Sequence, residues 1–472
     1  MKKGKIIIIC LLMLGIGAGL LLINKVGQKK DEEIQITKIP TEVHNGTLKG
    51  QVADAAMNTI VVRDQNNREY IIARDDEKTS GDSLLNGDTI TIQYTGTLKD
   101  NKSQIQDITI KSIVLKAQVV KNANTTNDAD DHENDTQVTQ TSRVAQIYSA
   151  MTLKEKIEQM FFVRVPDQGA LSLVKQDQMG GYILFGPDFK GKSVAQVQKT
   201  IASYQKSSKV PMLIGTDEEG GSVVRASAYL RSTRFQSPQT LYKTGGFAAI
   251  TQDTKVKSAF LQNLGVNVNF APVCDVSTNA KDFINGRSFG KNATQTSRYV
   301  TTVVEAMHTA KEGSVLKHFP GYGNNADTHT NICYDHRSYS TFLNSDFKPF
   351  EAGIKAGADS ILVSHNIVAS IDNTNPSSLS PAIHKIIRNK LHYHGVVMTD
   401  DLLMEGVRKL DSDEHIAVKA VIAGNDMLLS SNPKVQIAAV IKAVHDGYIS
   451  ENQIDQSVMR ILTWKEEIGL LK

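Results

Sequence analysis

The sequence predicts an α/β protein whose main part is an eightfold barrel of alternating strands and helices, preceded by a membrane anchor and a small all-β domain. Three observations carry this reading. Eight short apolar runs recur between residues 160 and 429, most of them separated by segments of helical periodicity; short β-branched runs alternate with polar residues from about Gly46 to Lys116; and residues 6–23 form one uncharged apolar stretch. At 472 residues the chain is too long for one ordinary domain, and 40% hydrophobic with 22% charged residues is the composition of a folded protein. A net charge of +3 is too small for the broad positive surface that nucleic acid requires. Three cysteines, Cys10, Cys274 and Cys333, are too few for a disulfide framework.

Residues 1–30 read as a transmembrane anchor. Ile6 to Ile23 follows Lys2, Lys3 and Lys5, and at about 1.5 Å per residue a helix of that length nearly spans a hydrocarbon core of about 30 Å. No small-x-small cleavage pattern follows in Asn24-Lys25-Val26-Gly27-Gln28, and Cys10 follows Ile9 rather than a small residue. An uncleaved anchor is therefore favoured over a cleaved or lipoprotein signal, with the bulk of the chain on the extracellular face of a bacterial membrane. Residues 36–118 form the all-β domain, with about five strands, a shape an open barrel would suit, and no catalytic cluster; a spacer or binding module is expected. Residues 119–142, with Asp128, Asp130, Asp131, Glu133 and Asp135 and hardly an apolar side chain, read as a disordered polar linker.

The barrel domain occupies 143–472. Thr152-Leu153-Lys154-Glu155 has the capping-box pattern that opens a helix. Near-continuous apolar strands alternating with helices imply a parallel sheet, and eight such units fit a closed (β/α)8 (TIM) barrel. The site of such a barrel is built at the C-terminal ends of its strands. Those ends carry Asp217-Glu218-Glu219 with Arg225 beyond, Asp275 with Arg287 beyond, Lys317-His318, His365, and Asp400-Asp401. After Lys317-His318, Pro320, Gly321 and Gly323 end the strand and open a loop bearing Asp327 and His329.

Two chemistries use such groups. In glycoside hydrolysis Asp400, aimed by the strand Val396-Val397-Met398-Thr399, is the natural nucleophile, and His329, tuned by Asp327, is the proton donor; Arg225, Arg287 and Lys317 hold hydroxyl or acyl oxygens. A metal-dependent hydrolase would use His318, His329, His365, Asp327 and Asp400 as ligands. No His-x-His or His-x-x-x-His pair occurs among these, and the nearby lysine and arginines oppose a cation. A non-enzymatic alternative keeps the pocket for sugar binding alone. For Asp275 and Asp359 the alternative to a role in the site is that of plain loop and cap residues; Asp401 reads as a cap, His365 as either a satisfied or a functional histidine, and Cys274 and Cys333 as inert.

The motifs Lys317-His318-Phe319-Pro320-Gly321-x-Gly323 with Asp327-Thr328-His329, Asp217-Glu218-Glu219-Gly220-Gly221 with Arg225, Asn285-Gly286-Arg287-Ser288-Phe289, and Thr399-Asp400-Asp401-Leu402-x-Met404 resemble glycoside hydrolase family 3, in its β-N-acetylglucosaminidase branch. The resemblance covers roughly 143–472. It implies a nucleophile at Asp400, a histidine–aspartate acid/base at His329 and Asp327, and sugar binding by Asp217, Arg225, Arg287, Lys317 and His318. It also implies a retaining mechanism without metal or organic cofactor. The sequence departs from the family at Tyr322, where a histidine is common, and at Glu218, where a glutamine is. A single tryptophan, Trp464, lies outside every strand end and argues for a pocket holding one terminal sugar over a long cleft. With an outward-facing anchor, the expected activity is removal of terminal N-acetylglucosamine from peptidoglycan or its fragments.

Overall fold

The structure, a computed structural model, describes residues 45–55, 59–73, 89–96, 98, 105–106, 108–116, 142–325, 328 and 332–471. The predicted anchor at 6–23 and the predicted linker up to residue 141 lie outside them; no described helix is long and apolar enough to cross a membrane. The chain divides into two compact units, Met1–Asp135 and Thr136–Lys472.

The first unit holds one sheet of β1 (Asn45–Ala55), β2 (Thr59–Asp64), β3 (Glu69–Ala73), β4 (Thr89–Gly96), β5 (Ile105–Gln106) and β6 (Ile108–Lys116), in the order β5-β3-β2-β1-β4-β6. The period-two pattern works as expected: Ile60, Val62, Tyr70, Ile72, Ile90 and Ile92 all turn to one buried face, joined by Leu48 and Val52. Among the described residues there are six strands where the sequence suggests about five. The additional one, β5, is two residues long and is held by parallel pairing to β3, so it leaves no periodicity in the sequence.

In the second unit Thr152 caps the helix Leu153–Gln159 with the reciprocal Glu155 bond that its spacing predicts. The strands then follow as β7 (Phe161–Arg164), β8 (Gly181–Leu184), β9 (Leu213–Thr216), a short hairpin of β10 (Glu218–Gly220) and β11 (Val223–Val224), β12 (Val268–Asn269), β13 (Gly313–Phe319), β14 (Tyr334–Asp335), β15 (Ser360–Val363), β16 (Ile367–Val368), β17 (Val396–Thr399) and β18 (Leu428–Ser430). Eight of them form one sheet in the order β17-β15-β13-β12-β9-β8-β7-β18, every neighbouring pair parallel. Each contains or overlaps one of the eight predicted runs. The two outer strands meet through a bridge from Met398 to Met427 and a 3.1 Å bond from Thr399 N–H to the Met427 carbonyl, so the ring is nearly closed.

Inside the ring Phe162 and Phe270 meet edge to face at 5.2 Å. Gly215 makes room for them, since a Cβ there would lie 2.5 Å from the Phe270 ring. Below β17, the buried Asp426 accepts from Val397 N–H at 2.8 Å, Ser457 Oγ at 3.0 Å, Arg460 Nη1 at 2.9 Å and the Arg388 guanidinium. This ties the root of β17 to the closing helix Glu451–Glu467. Burial pushes the carboxyl up, and the two arginines outweigh it and hold it below its ordinary value.

Glu312, at the root of β13, is the opposite case. Its side chain is buried with one hydrogen-bond donor, Ser258 Oγ at 2.6 Å, and burial pushes its carboxyl up to about 7. The folded chain therefore keeps this proton to about pH 7, whereas an unfolded glutamate releases it near 4.5. Stability from this group is full below pH 4.5 and is lost as pH rises through 7. Glu312→Gln is expected to raise the thermal midpoint at pH 8 by the equivalent of about 3 kcal/mol or less while leaving it nearly unchanged at pH 4. Thermal unfolding of both proteins across that range checks it.

Candidate active site

The hairpin after β9 sorts three successive carboxylates by alternation. Asp217 and Glu219 turn to one side and Glu218 to the other. Glu218, fully buried, accepts from the backbone N–H groups of Arg225 at 3.0 Å and Ala226 at 2.8 Å, and from the Ser227 hydroxyl. It thus fixes the segment that presents Arg225, and the departure from glutamine at this position falls behind the pocket wall. Arg225 reaches Asp217 at 3.5 Å and lies over the Phe185 ring at 5.6 Å.

Lys317 and His318 are consecutive on β13, and in a regular strand they would face opposite ways. Here the ladder between β13 and β15 shifts register between Leu316 and Phe319, and both side chains enter one network. The buried Lys317 ammonium lies 2.7 Å from Asp217 and 2.7 Å from Glu219. Arg287 grips Glu219 through two nitrogens, at 2.7 and 3.1 Å. Burial alone would raise the Glu219 carboxyl; Lys317 and Arg287 outweigh it and hold the group down at about 2. Lys317 is held above its ordinary value because its two carboxylates overcome the opposing effect of burial.

Asp275, one of the charged strand-end groups of the sequence, is more than a loop or cap residue. Buried at the end of the fourth barrel strand's extension, it accepts from His318 Nδ1 at 2.8 Å, His318 N–H at 3.1 Å and Tyr322 N–H at 2.7 Å. With Nδ1–H committed to Asp275, His318 Nε2 presents a lone pair, and Arg287 Nη2 donates to it at 3.2 Å. Glu219, Asp275 and Tyr322 are thus members of the network to which sequence reasoning gave no role. The i, i+2 spacing of Asp217 and Glu219 was the available signal for the first and the strand-end position for the second; nothing local marked Tyr322.

Asp400 follows β17 directly, its N–H bonded to the Val363 carbonyl at 3.0 Å and its Oδ1 accepting from Asp401 N–H at 2.9 Å. Asp401 turns away, accepting from Leu403 N–H at 3.0 Å and Ser431 Oγ at 2.8 Å. His365 is satisfied by Ser378 Oγ at 2.7 Å and the Asp401 carbonyl at 3.0 Å. Tyr322 is buried beside this group; burial, then the charge of Asp400, pushes its hydroxyl well up. That hydroxyl bonds Thr328 Oγ1 at 2.6 Å, and the Thr328 carbonyl accepts from Gly406 N–H at 3.1 Å. Asp327 and His329 lie outside the described residues. The glycines before them are required where they stand. A Cβ on Gly321, whose φ is +118°, would lie 2.6 Å from Asp346 Oδ1, and one on Gly323 would strike the Arg337 guanidinium.

A parallel barrel whose mouth gathers paired carboxylates, a buried lysine, arginines and an oriented histidine is the framework of a barrel glycoside hydrolase. Residues 152–464 match the glycosyl hydrolase family 3 N-terminal domain. The chain is 30% identical over 295 residues to a β-hexosaminidase of Haemophilus influenzae, covering 61% of this chain and 81% of that protein. It is 31% identical over 302 residues to one from Idiomarina loihiensis, covering 63% and 89%. The solved structure of a family 3 β-N-acetylglucosaminidase from Paenibacillus sp. superposes with a TM-score of 0.65 at 31% identity, over 68% of this chain and 63% of that one. The chain therefore spans under two thirds of that structure's length. It belongs to glycosyl hydrolase family 3, in the β-N-acetylglucosaminidase branch, and is a glycoside hydrolase.

Removing the Asp275 charge tests the network directly. Asp275→Asn is expected to lower kcat/KM about 10- to 100-fold, the worth of a charge-assisted hydrogen bond. The loss should appear mainly in KM, as His318 loses its fixed tautomer; a loss confined to kcat, with KM unchanged, would reduce Asp275 to a structural prop.

Proposed function

We propose that the chain is a retaining, exo-acting β-N-acetylglucosaminidase that removes terminal non-reducing N-acetylglucosamine from cell-wall glycans or muropeptides. The observation that carries this reading is the five-residue network of Asp217, Glu219, Lys317, Arg287 and His318 at the barrel mouth. Such a network offers donors and acceptors at fixed positions, the requirement for gripping the hydroxyls of one sugar ring. The name of the Paenibacillus β-N-acetylglucosaminidase supplies the amino sugar, and the β-hexosaminidase relatives agree with a six-carbon sugar.

In the proposed reaction Asp400 attacks the anomeric carbon while His329, as imidazolium, gives its proton to the departing glycosidic oxygen; the C–O bond breaks as the Asp400 ester forms. Neutral His329 then takes a proton from water, whose oxygen attacks the same carbon and releases Asp400. Asp327 favours the protonated ring in the first step. Tyr322, which bonds Thr328, gives the residue between Asp327 and His329 a fixed anchor. Two of the ligands that a metal-dependent alternative would use, His318 and His365, have both ring nitrogens committed to protein partners. Residues 6–23 would hold the enzyme at the extracellular face of the membrane, next to peptidoglycan.

Cleavage of an aryl β-N-acetylglucosaminide is the test. Turnover should be abolished by Asp400→Ala, lowered about 10²- to 10⁴-fold by His329→Ala, and unaffected by a chelator. Binding of N-acetylglucosamine without turnover in the unsubstituted protein would replace the enzyme with a sugar-binding protein.

A further inference from the structure

Arg287 grips Glu219 with two nitrogens, yet the partners come from separate loops 68 residues apart: Glu219 from the hairpin after β9, Arg287 from the stretch between β12 and β13. A two-point contact tolerates only small errors in the relative position of its partners. One short segment, residues 235–242, touches both loops. On one flank Gly221 N–H donates to the Phe235 carbonyl at 2.9 Å. The hairpin lies so near that a Cβ on Gly220, whose φ is +101°, would stand 2.2 Å from the Gln236 carbonyl oxygen. On the other flank Gln239 Nε2 donates to the Asn285 carbonyl at 2.7 Å and the Ser288 carbonyl at 3.2 Å, and the Tyr242 ring meets Phe289 edge to face at 5.1 Å. Gln239 and Tyr242 are three apart at the start of the helix Pro238–Leu264, so they share a face. Ser237 caps that helix, accepting from Thr240 N–H at 3.2 Å, and the non-helical torsions of Gly245 and Gly246 leave its opening turns as a short piece of their own.

The two carbonyls that Gln239 ties stand on either side of Arg287 in the chain. Between them the backbone makes a tight turn, in which the Ile284 carbonyl accepts from Arg287 N–H and Ser288 N–H, both at 3.0 Å, and Ser288 Oγ donates back to the Asn285 carbonyl at 3.0 Å. A primary amide nitrogen carries two hydrogens, and Gln239 gives both to this turn. Gly290, with φ +70°, leaves the room for it, since a Cβ there would lie 2.7 Å from Gln239 Cδ. We infer that Gln239 is a positioning residue for Arg287: through it, the segment that fixes the Glu219 hairpin also fixes the Arg287 turn, so that guanidinium and carboxylate meet each other, and the bound sugar, in one geometry. Gln239 acts on the sugar only through Arg287. This inference rests on the function proposed above and adds to it a residue that no motif marks.

The test is a double-mutant cycle on the full chain, read in the cleavage of an aryl β-N-acetylglucosaminide. Gln239→Leu, close in volume and without donors, should lower kcat/KM about tenfold, chiefly through a raised KM. In an Arg287→Ala background the same substitution should cost less than about twofold, because the residue it positions is gone. Gln239→Asn, which draws the donors back by one methylene, should give the same pattern and takes the place of the leucine variant if thermal unfolding shows that one to be unfolded. An equal fold-loss in both backgrounds would make Gln239 a general prop of the barrel and overturn the inference. So would an unchanged kcat/KM in Gln239→Leu, or a loss confined to kcat. Failure of the underlying reading shows before any substitution is made: the unsubstituted protein would then leave the glycoside uncleaved.

Discussion

The mouth of this barrel depends on one buried cation held between two carboxylates. Removing the Lys317 ammonium from water costs several kcal/mol, and only the paired, hydrogen-bonded geometry recovers it. Asp217 and Glu219 supply that geometry at 2.7 Å each, and Glu219 is itself neutralised by the two-point grip of Arg287. No member can leave without stranding another's charge. The consequence is an array whose shape is set by its own contacts, which is the condition under which fixed dipoles and charges assist a reaction without reorganising during it. The structure supports this array from behind. Lys257 donates to the Glu219 carbonyl at 3.3 Å and pairs with Asp253 at 3.1 Å, so the backbone under Glu219 is bonded as well.

The far end of the barrel solves a different problem. There the strands must be rooted, and buried groups serve packing more than recognition. Asp426 gathers two arginines, a serine and a backbone N–H, and so joins β17, the stretch before β18 and the closing helix at one point. Lys465, in contrast, donates to Gln159 Oε1 at 2.7 Å and has no other hydrogen-bond partner among the described residues, and burial pushes its ammonium down to about 7. Trp464 beside it packs over Gly313, where a Cβ would stand 3.0 Å from the indole. The lone tryptophan therefore fills the root of β13, while the charged residues Lys317 and His318 occupy the other end of the same strand.

The barrel was legible because its strands are buried on both faces and read as unbroken apolar runs. Their ends, once placed, pointed to Asp217, Arg225, Arg287, Lys317, His318 and Asp400. What the pattern hid was any role set by a partner distant in sequence. Asp275 is 43 residues from His318, and a carboxylate that orients an imidazole looks, in one dimension, like any loop aspartate. Glu219 stood next to two other acids, and only the alternation of a three-residue strand separates it from Glu218. The convergence of Lys317 and His318 depends on a shift in the ladder with β15, a property of two strands together that neither sequence carries alone. The two-residue β5 is the same case in the first unit.

The placement of Gly406 extends this logic to the two halves of the proposed reaction. It follows Asp400 by six residues, and its N–H holds the Thr328 carbonyl. A Cβ at Gly406 would lie 2.9 Å from that carbonyl and 3.3 Å from the Cβ of His365. His365 in turn carries the Asp401 carbonyl between Ser378 and the exit of β17. The segment that carries Asp400, the proposed nucleophile, and the residue flanked by Asp327 and His329 are thus referred to one packed contact, which only a glycine permits. A strand end fixes position well, and a loop fixes it poorly unless it borrows a reference. Thr328 borrows two, from Tyr322 and from Gly406, and both lie on segments whose own geometry is set by the barrel beneath them.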